Sequence, residues 1–252
     1  MNHSTLVELD NSLYPQVWEQ QTFNNAESLL RAMINGSITP DPYAFSQILQ
    51  DNEVYQEWVN ATIFGRYIQR TFAAFYQQTE DSFNTDLPEL FRHELNRYGQ
   101  YLPLKQILFI AGKLPEHSRR EKLFTTTLNP ATAVLAARQV NQLSNNLLSS
   151  NITASNTQDM IINQIRVTGR QVLGFPLRHN KHTSERIRNE VLILDFHDLR
   201  LVDEQIVNEQ QHNEIEGQSN IALFSVNAIL LCPSISLCCC SFTICSSTNR
   251  KS

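Results

Sequence analysis

The sequence predicts an α+β fold, with N-terminal helices followed by a mixed β-sheet core. Three observations predict it. Apolar residues recur at steps of three and four through much of the first hundred residues. Short apolar runs bounded by turn signals replace them after about residue 105. Long polar loops separate those runs, and helices first with strands after is the α+β order.

Residues 1–20 carry no clear period and read as irregular. "FNNAESLLRAMING" (23–36) reads as a short helix, with Asn25 placed to cap its start and Gly36 just past its end. "SITPDP" (37–42) is a turn, and a second short helix follows over about 43–50. Val54, Trp58, Ala61, Phe64, Ile68, Phe72 and Phe75 form one apolar stripe over 54–77, the period of a helix packed on a core. "TDLPELFRHELNRYG" (85–99) repeats the pattern: Asp86 can cap, Pro88 suits the first turn, and Gly99 closes the helix.

The strands come next. "QILFIAG" (106–112) is a buried-strand run and "KLFTTTL" (122–128) a second. Asn129 is a good N-cap and Pro130 suits the first helical position, so a helix opens there. "NQLSNNLLSSNITASNTQ" (141–158) is polar and reads as a helix end plus a loop. "MIINQIRVTG" (160–169) offers a strand, 170–188 a long basic loop, "NEVLILDF" (189–196) a strand, and "LRLVDEQIV" (199–207) another.

The 252 residues are enough for one large domain or two small ones, and the net charge of −5 gives no general pull towards nucleic acid. No nucleic-acid-binding motif appears, so no nucleic-acid partner is expected. All five cysteines (Cys232, Cys238, Cys239, Cys240, Cys245) lie near the C-terminus, which is not the pattern of a secreted disulfide scaffold. The first residues show no basic region leading into an apolar run, so no signal peptide is read. The expected location is intracellular, with the sequons at Asn35, Asn60 and Asn151 unused. Residues 221–245 hold no charge. Two readings stay open there: a membrane anchor, with palmitoylated cysteines, or a last strand at about 220–228 followed by a disordered tail.

Several chemistries are set aside. The seven glycines stand singly, so neither a dinucleotide fingerprint nor a Walker loop exists. His179, His182 and His197 have no ligand spacing, and no metal is expected. No G-x-S-x-G elbow is present.

What remains is "FTTTLNP" together with "SERIRNEVLIL", where Glu190 opens an apolar strand after a long loop. Taken alone, three threonines are also what β-propensity selects. Together and in this order, the two segments resemble the mono-ADP-ribosyltransferases of the Arg/Ser-Thr-Ser/Glu-x-Glu class. In that family a strand ends in Ser-Thr-Ser, often continued as Leu-Asn-Pro into a helix. Thr125, Thr126, Thr127, Leu128, Asn129 and Pro130 take those places. Glu190 falls on the catalytic Glu, and the loop 170–188 on the segment that reads the target. The resemblance covers roughly 85–227 and departs from the family twice. Ile110 or Ala111 stands where an Arg normally grips NAD, with Lys113, Arg92 and Arg97 as the nearby cations. Arg188 replaces the first Glu of Glu-x-Glu.

The resemblance implies an α+β core with an ADP-ribosyltransferase-like mixed sheet, divided as a helical region 1–84, a catalytic domain 85–228 and a Cys-rich tail 229–252. It implies NAD as co-substrate without a metal, a protein acceptor, and a monomer. Glu190 is the expected catalytic residue, stabilising a ribosyl oxocarbenium. Thr125, Thr126, Thr127 and Gly112 are expected to bind NAD, and Arg188 and Phe175 to recognise the acceptor. Cleaving the nicotinamide–ribose bond builds positive charge on the sugar, and a fixed carboxylate stabilises that charge more in the transition state than before it. Two other readings stay beside it: a catalytically inactive module of the same fold, and a tail-anchored helical interaction protein.

Overall fold

The computed structural model describes residues 3–9, 13–14, 17–18, 21–61, 95–114, 124–148, 160–177, 184–196, 198–209 and 222–232. They form a mixed α/β fold built on one eight-stranded sheet. In chain order the elements are β1 (Val17–Trp18), β2 (Gln21–Thr22), α1 (Ala26–Ile34), α2 (Pro42–Asp51), α3 (Glu53–Ala61), β3 (Gln100–Tyr101), β4 (Ile107–Ala111), β5 (Phe124–Thr127), α4 (Pro130–Leu148), β6 (Met160–Val167), β7 (Leu173–Pro176), β8 (Glu190–Asp195), β9 (Asp198–Glu209) and β10 (Ala222–Cys232). A 3-10 helix, Ser184–Arg188, leads into β8. β1 and β2 pair apart from the large sheet, whose order is β3-β7-β8-β5-β4-β6-β10-β9. Its ladders are antiparallel except for β6 with β10.

Side-chain caps start the N-terminal helices. Asn25 Oδ1 accepts from the Ser28 N–H at 2.8 Å, and Asp41 Oδ1 accepts from Tyr43 and Ala44 at 2.9 and 3.1 Å. Pro42 takes the first helical position of α2, where its missing N–H costs nothing. Trp58 of α3 is fully buried, and its indole N–H donates to the Val7 carbonyl at 2.8 Å. The periodic stripe beyond residue 61 lies outside the described residues, as do residues 85–94, Arg92 among them, of the helix expected over 85–99, whose residues 95–98 are helical.

One cluster forms most of the core. Leu29, Leu30 and Trp58 from the helices meet Phe109, Phe124, Ile165, Val191 and Ile193 from the sheet, with Ala131 and Val134 of α4. The expected boundary at 84/85 lies outside the described residues, but the parts on either side share this core. A second cluster joins Leu95, Leu173, Phe175, Leu177, Leu192 and Leu194.

The sheet has a corner. β4 and β5 meet at the pair Phe109↔Thr127, the middle of one strand against the last residue of the other. This single bridge joins the two parts of the sheet, β3-β7-β8-β5 and β4-β6-β10-β9. Its two edges differ. Residues 4–6 close the β3 edge through Leu6 N–H to Tyr101 C=O and Tyr101 N–H to Ser4 C=O, both at 2.9 Å. β9 forms the other edge.

Two expectations are corrected. The segment 170–188 is not one loop, because it contains β7 and the 3-10 helix. Nor does the sheet end at 228: β10 runs to Cys232, paired with β6 on one side and β9 on the other, and Ile229 is buried. Residues 222–232 of the uncharged segment are thus sheet strand, and 233–252 lie outside the described residues. No helix among the described residues is long and apolar enough to cross a membrane.

Candidate active site

Glu190 is the first residue of β8 and Thr127 the last of β5, and the register of that antiparallel pair sets them opposite one another. Such partners project to the same face with Cβ atoms about 4.5–5.5 Å apart, within reach of a water-bridged contact. The row continues through the corner. Thr127 is opposite Phe109, and Phe109 opposite Gln164 on β6. A carboxylate, a hydroxyl, a phenyl ring and an amide thus share one line across four strands. Glu190 keeps 16% of its side chain exposed, while Phe109, Thr127 and Gln164 are buried.

Backbone and side-chain bonds fix this end of the row. The Thr127 hydroxyl donates to the Arg188 carbonyl and accepts the Asn129 N–H at 2.9 Å. Asn129 caps α4 through Oδ1, which accepts from Ala131 and Thr132 at 3.1 and 3.3 Å. Its Nδ2 shares two hydrogens among the Pro42 and Ile187 carbonyls and Asn189 Oδ1. Asn189 is buried with φ of 48°, a left-handed conformation that asparagine tolerates better than most residues. Its Nδ2 donates to the Tyr55 hydroxyl at 3.0 Å and to Ser46 Oγ at 3.3 Å. Burial pushes the Tyr55 phenol above its ordinary range, partly offset by the Asn189 bond and the Arg186 charge, so the ring stays neutral and able to accept. This hub ties α2, α3, α4 and the 3-10 helix to the residue before Glu190. Sequence reading assigned Asn129 only its cap and did not find Asn189. An asparagine immediately before a strand that follows a helical turn was the available signal.

Arg188 lies beside the carboxylate, its Nη1 3.6 Å from Glu190 Oε1, with 55% of its side chain exposed. At that exposure the attraction is screened and contributes up to about 1 kcal/mol.

The expected site residues separate. Thr127, Glu190 and Arg188 come together. Thr126 is buried on the opposite face, its hydroxyl donating to the Val191 carbonyl at 2.7 Å, so that donor serves the sheet. Thr125 is half-buried and paired with Leu192. Phe175 has no exposed surface and packs in the second core cluster. Its expected role at the acceptor is corrected to packing, because a ring with no exposed surface cannot touch a docked protein. Gly112 directly follows β4 with φ of +83°, a conformation that favours glycine. A Cβ built on it meets nothing within 4 Å, so the space beside it is open. It stands three residues past Phe109, about 10 Å further along β4 than the Thr127 level. Lys113 beside it is exposed.

Among the described residues no group of three His, Cys, Asp or Glu side chains is arranged to hold a metal. Comparison with known protein families, curated proteins and solved structures finds no match to this chain.

Proposed function

We propose that the protein is an NAD-dependent mono-ADP-ribosyltransferase of ADP-ribosyltransferase-like fold, passing ADP-ribose to a protein acceptor. The Thr127–Glu190 cross-strand pair carries this reading, because it holds a largely buried carboxylate beside a hydroxyl at a strand end. The residues present suit NAD in part. Glu190 offers the charge its ribose needs, Thr125 a half-buried hydroxyl, and Gly112 an open surface. NAD supplies the ADP-ribosyl group and a neutral leaving group, nicotinamide. Glu190 stabilises the positive charge that grows on the ribose as the C–N bond lengthens and its electron pair leaves with nicotinamide. The fixed backbone on both sides keeps the carboxylate in place, so little reorganisation accompanies that charge. An acceptor nucleophile then bonds to the same carbon and loses its proton.

A second reading is favoured by specific observations. The Thr126 and Thr127 donors are committed to backbone carbonyls, Arg188 offsets the charge of Glu190, and Gly112 is displaced along β4. These suit a module of the same fold without catalysis. Labelled NAD incubated with the protein and a cell lysate, alongside calorimetric binding of NAD, separates the two. The transferase reading expects labelled acceptor or released nicotinamide, reduced at least about 10²-fold in Glu190→Gln, the scale of one lost preorganised stabilising group. NAD affinity should change far less, because the ground state lacks the developing charge. Absence of both binding and turnover in the wild type selects the inactive module.

A further inference from the structure

We propose that Tyr55 is a positioning residue for Glu190, acting from α3 through Asn189, 134 residues further along the chain. The role presupposes the transferase reading. Asn189 directly precedes the carboxylate, and its φ of 48° lies in the left-handed region, which costs a residue with a Cβ more than extended backbone does. Return of Asn189 to the extended or right-handed region would turn the chain ahead of β8 and swing Glu190 out of the row it shares with Thr127. Backbone bonds oppose that return on the β5 side, where the Leu128 N–H donates to the Asn189 carbonyl at 3.1 Å and the Thr127 hydroxyl to the Arg188 carbonyl. On the helix side the restraint is the Asn189 side chain.

Three bonds hold that side chain. Its Oδ1 accepts from Asn129 Nδ2 at 3.3 Å, and its Nδ2 donates to Ser46 Oγ at 3.3 Å and to the Tyr55 hydroxyl at 3.0 Å. The tyrosine bond is the shortest of the three. Ser46, Tyr55, Asn129 and Asn189 are all buried, so water does not stand in for a lost partner, and each bond weighs more than at the surface. Tyr55 is itself fixed: its N–H donates to Asn52 Oδ1 at 3.0 Å in the first turn of α3. Among the described residues, the Asn189 amide is the one hydrogen-bond partner of its hydroxyl. Tyr55→Phe therefore deletes that bond and keeps the ring in the core. Glycine reaches positive φ without the steric cost, so Asn189→Gly leaves the left-handed backbone accessible while it removes the amide. If Tyr55 acts only through Asn189, its hydroxyl should matter when Asn189 is present and not when glycine replaces it. A hydroxyl that served packing alone would matter equally in both.

The test is a double-mutant cycle on the full chain: wild type, Tyr55→Phe, Asn189→Gly and the pair together, each followed by steady-state nicotinamide release from NAD. Rates are divided by the folded fraction from denaturant melts, so lost stability is not counted as lost rate. Tyr55→Phe should lower kcat about three- to tenfold in the wild-type background, the scale of one hydrogen bond, with KM for NAD within about twofold. In the Asn189→Gly background the same change should move kcat less than about twofold. Amide hydrogen exchange gives a reading that needs neither turnover nor the glycine variant: exchange over 188–192 should quicken in Tyr55→Phe, with β6 unchanged. Equal kcat losses in both backgrounds, no loss in either, or unchanged exchange over 188–192 overturn the positioning role and leave the transferase reading standing. A wild type that neither binds NAD nor releases nicotinamide fails the transferase reading, and this role falls with it.

Discussion

Glu190 is framed by residues that act on it in opposite senses. Thr127 across the strand and Asn189 behind it hold the backbone that carries the carboxylate, while Arg188 brings a positive charge to 3.6 Å. If stabilising a ribosyl cation is the task of Glu190, Arg188 works against it. Arg188→Gln should then raise turnover about two- to fivefold, the kinetic equivalent of losing a half-exposed ion pair. Steady-state nicotinamide release checks this. A fall in turnover would instead make Arg188 a residue that orients the carboxylate. Much of this neighbourhood was legible in advance. Thr127, Asn129 and Glu190 announce themselves by residue type beside a strand end. Asn189 and Phe109 do not, since their roles depend on a left-handed backbone and on a cross-strand register that one sequence does not display.

Among the elements, the capped helix starts and the apolar strand runs of β4, β5, β6 and β8 are legible in the sequence, whereas β7 is not. Asn25 before α1 and Asn129-Pro130 before α4 mark helix starts by their own hydrogen bonds, whatever surrounds them. β7 has no such signal. Its Leu-Gly-Phe-Pro lacks alternation, and it is a strand because β3 and β8 flank it. Gly174 is required there, for a Cβ would stand 2.6 Å from Leu102 Cδ2. One of the two open readings of 221–245 ends the last strand at about 228, short of the apolar Ile229, Leu230 and Leu231 that the ladder includes. The true length of β10 makes a sharp prediction. Removal of 233–252 should leave the melting temperature nearly unchanged. Removal of 229–252 takes three positions paired on both sides, Ile229, Leu230 and Leu231, the first of them buried, and should lower the melting temperature strongly or prevent folding. Thermal scans of the two truncations decide it, and equal behaviour would refute the placement of those residues in the sheet.

At the scale of the whole molecule, the single main core predicts one cooperative transition, with near- and far-ultraviolet dichroism changing together. It also predicts a weakness in alkali. Tyr14 and Tyr55 are both buried there, and burial raises both phenols. Below about pH 10 each is protonated whether folded or unfolded, and its contribution is fully present. Above that, the unfolded chain releases the protons while the folded chain keeps them. Stability should therefore fall as pH rises, by up to about 1.4 kcal/mol per pH unit for each tyrosine. Denaturant melts from pH 8 to 11 measure the slope. Tyr14→Phe should flatten it, and an unchanged slope in that variant would show that Tyr14 ionises as freely folded as unfolded.

The position of β10 bears on how the chain is made. β9 is synthesised first but pairs in the sheet with β10, and β10 must lie beside β6 before β9 has a place. While the ribosome works through 210–232, β6 remains a bare edge with Met160, Ile162 and Ile165 awaiting cover. At about 5–20 residues per second that interval lasts roughly one to five seconds. The nascent chain is most open to mispairing with a neighbour on the same message in those seconds. Synonymous slow codons between 210 and 222 would lengthen the exposure and lower the soluble yield without changing a single residue of the product.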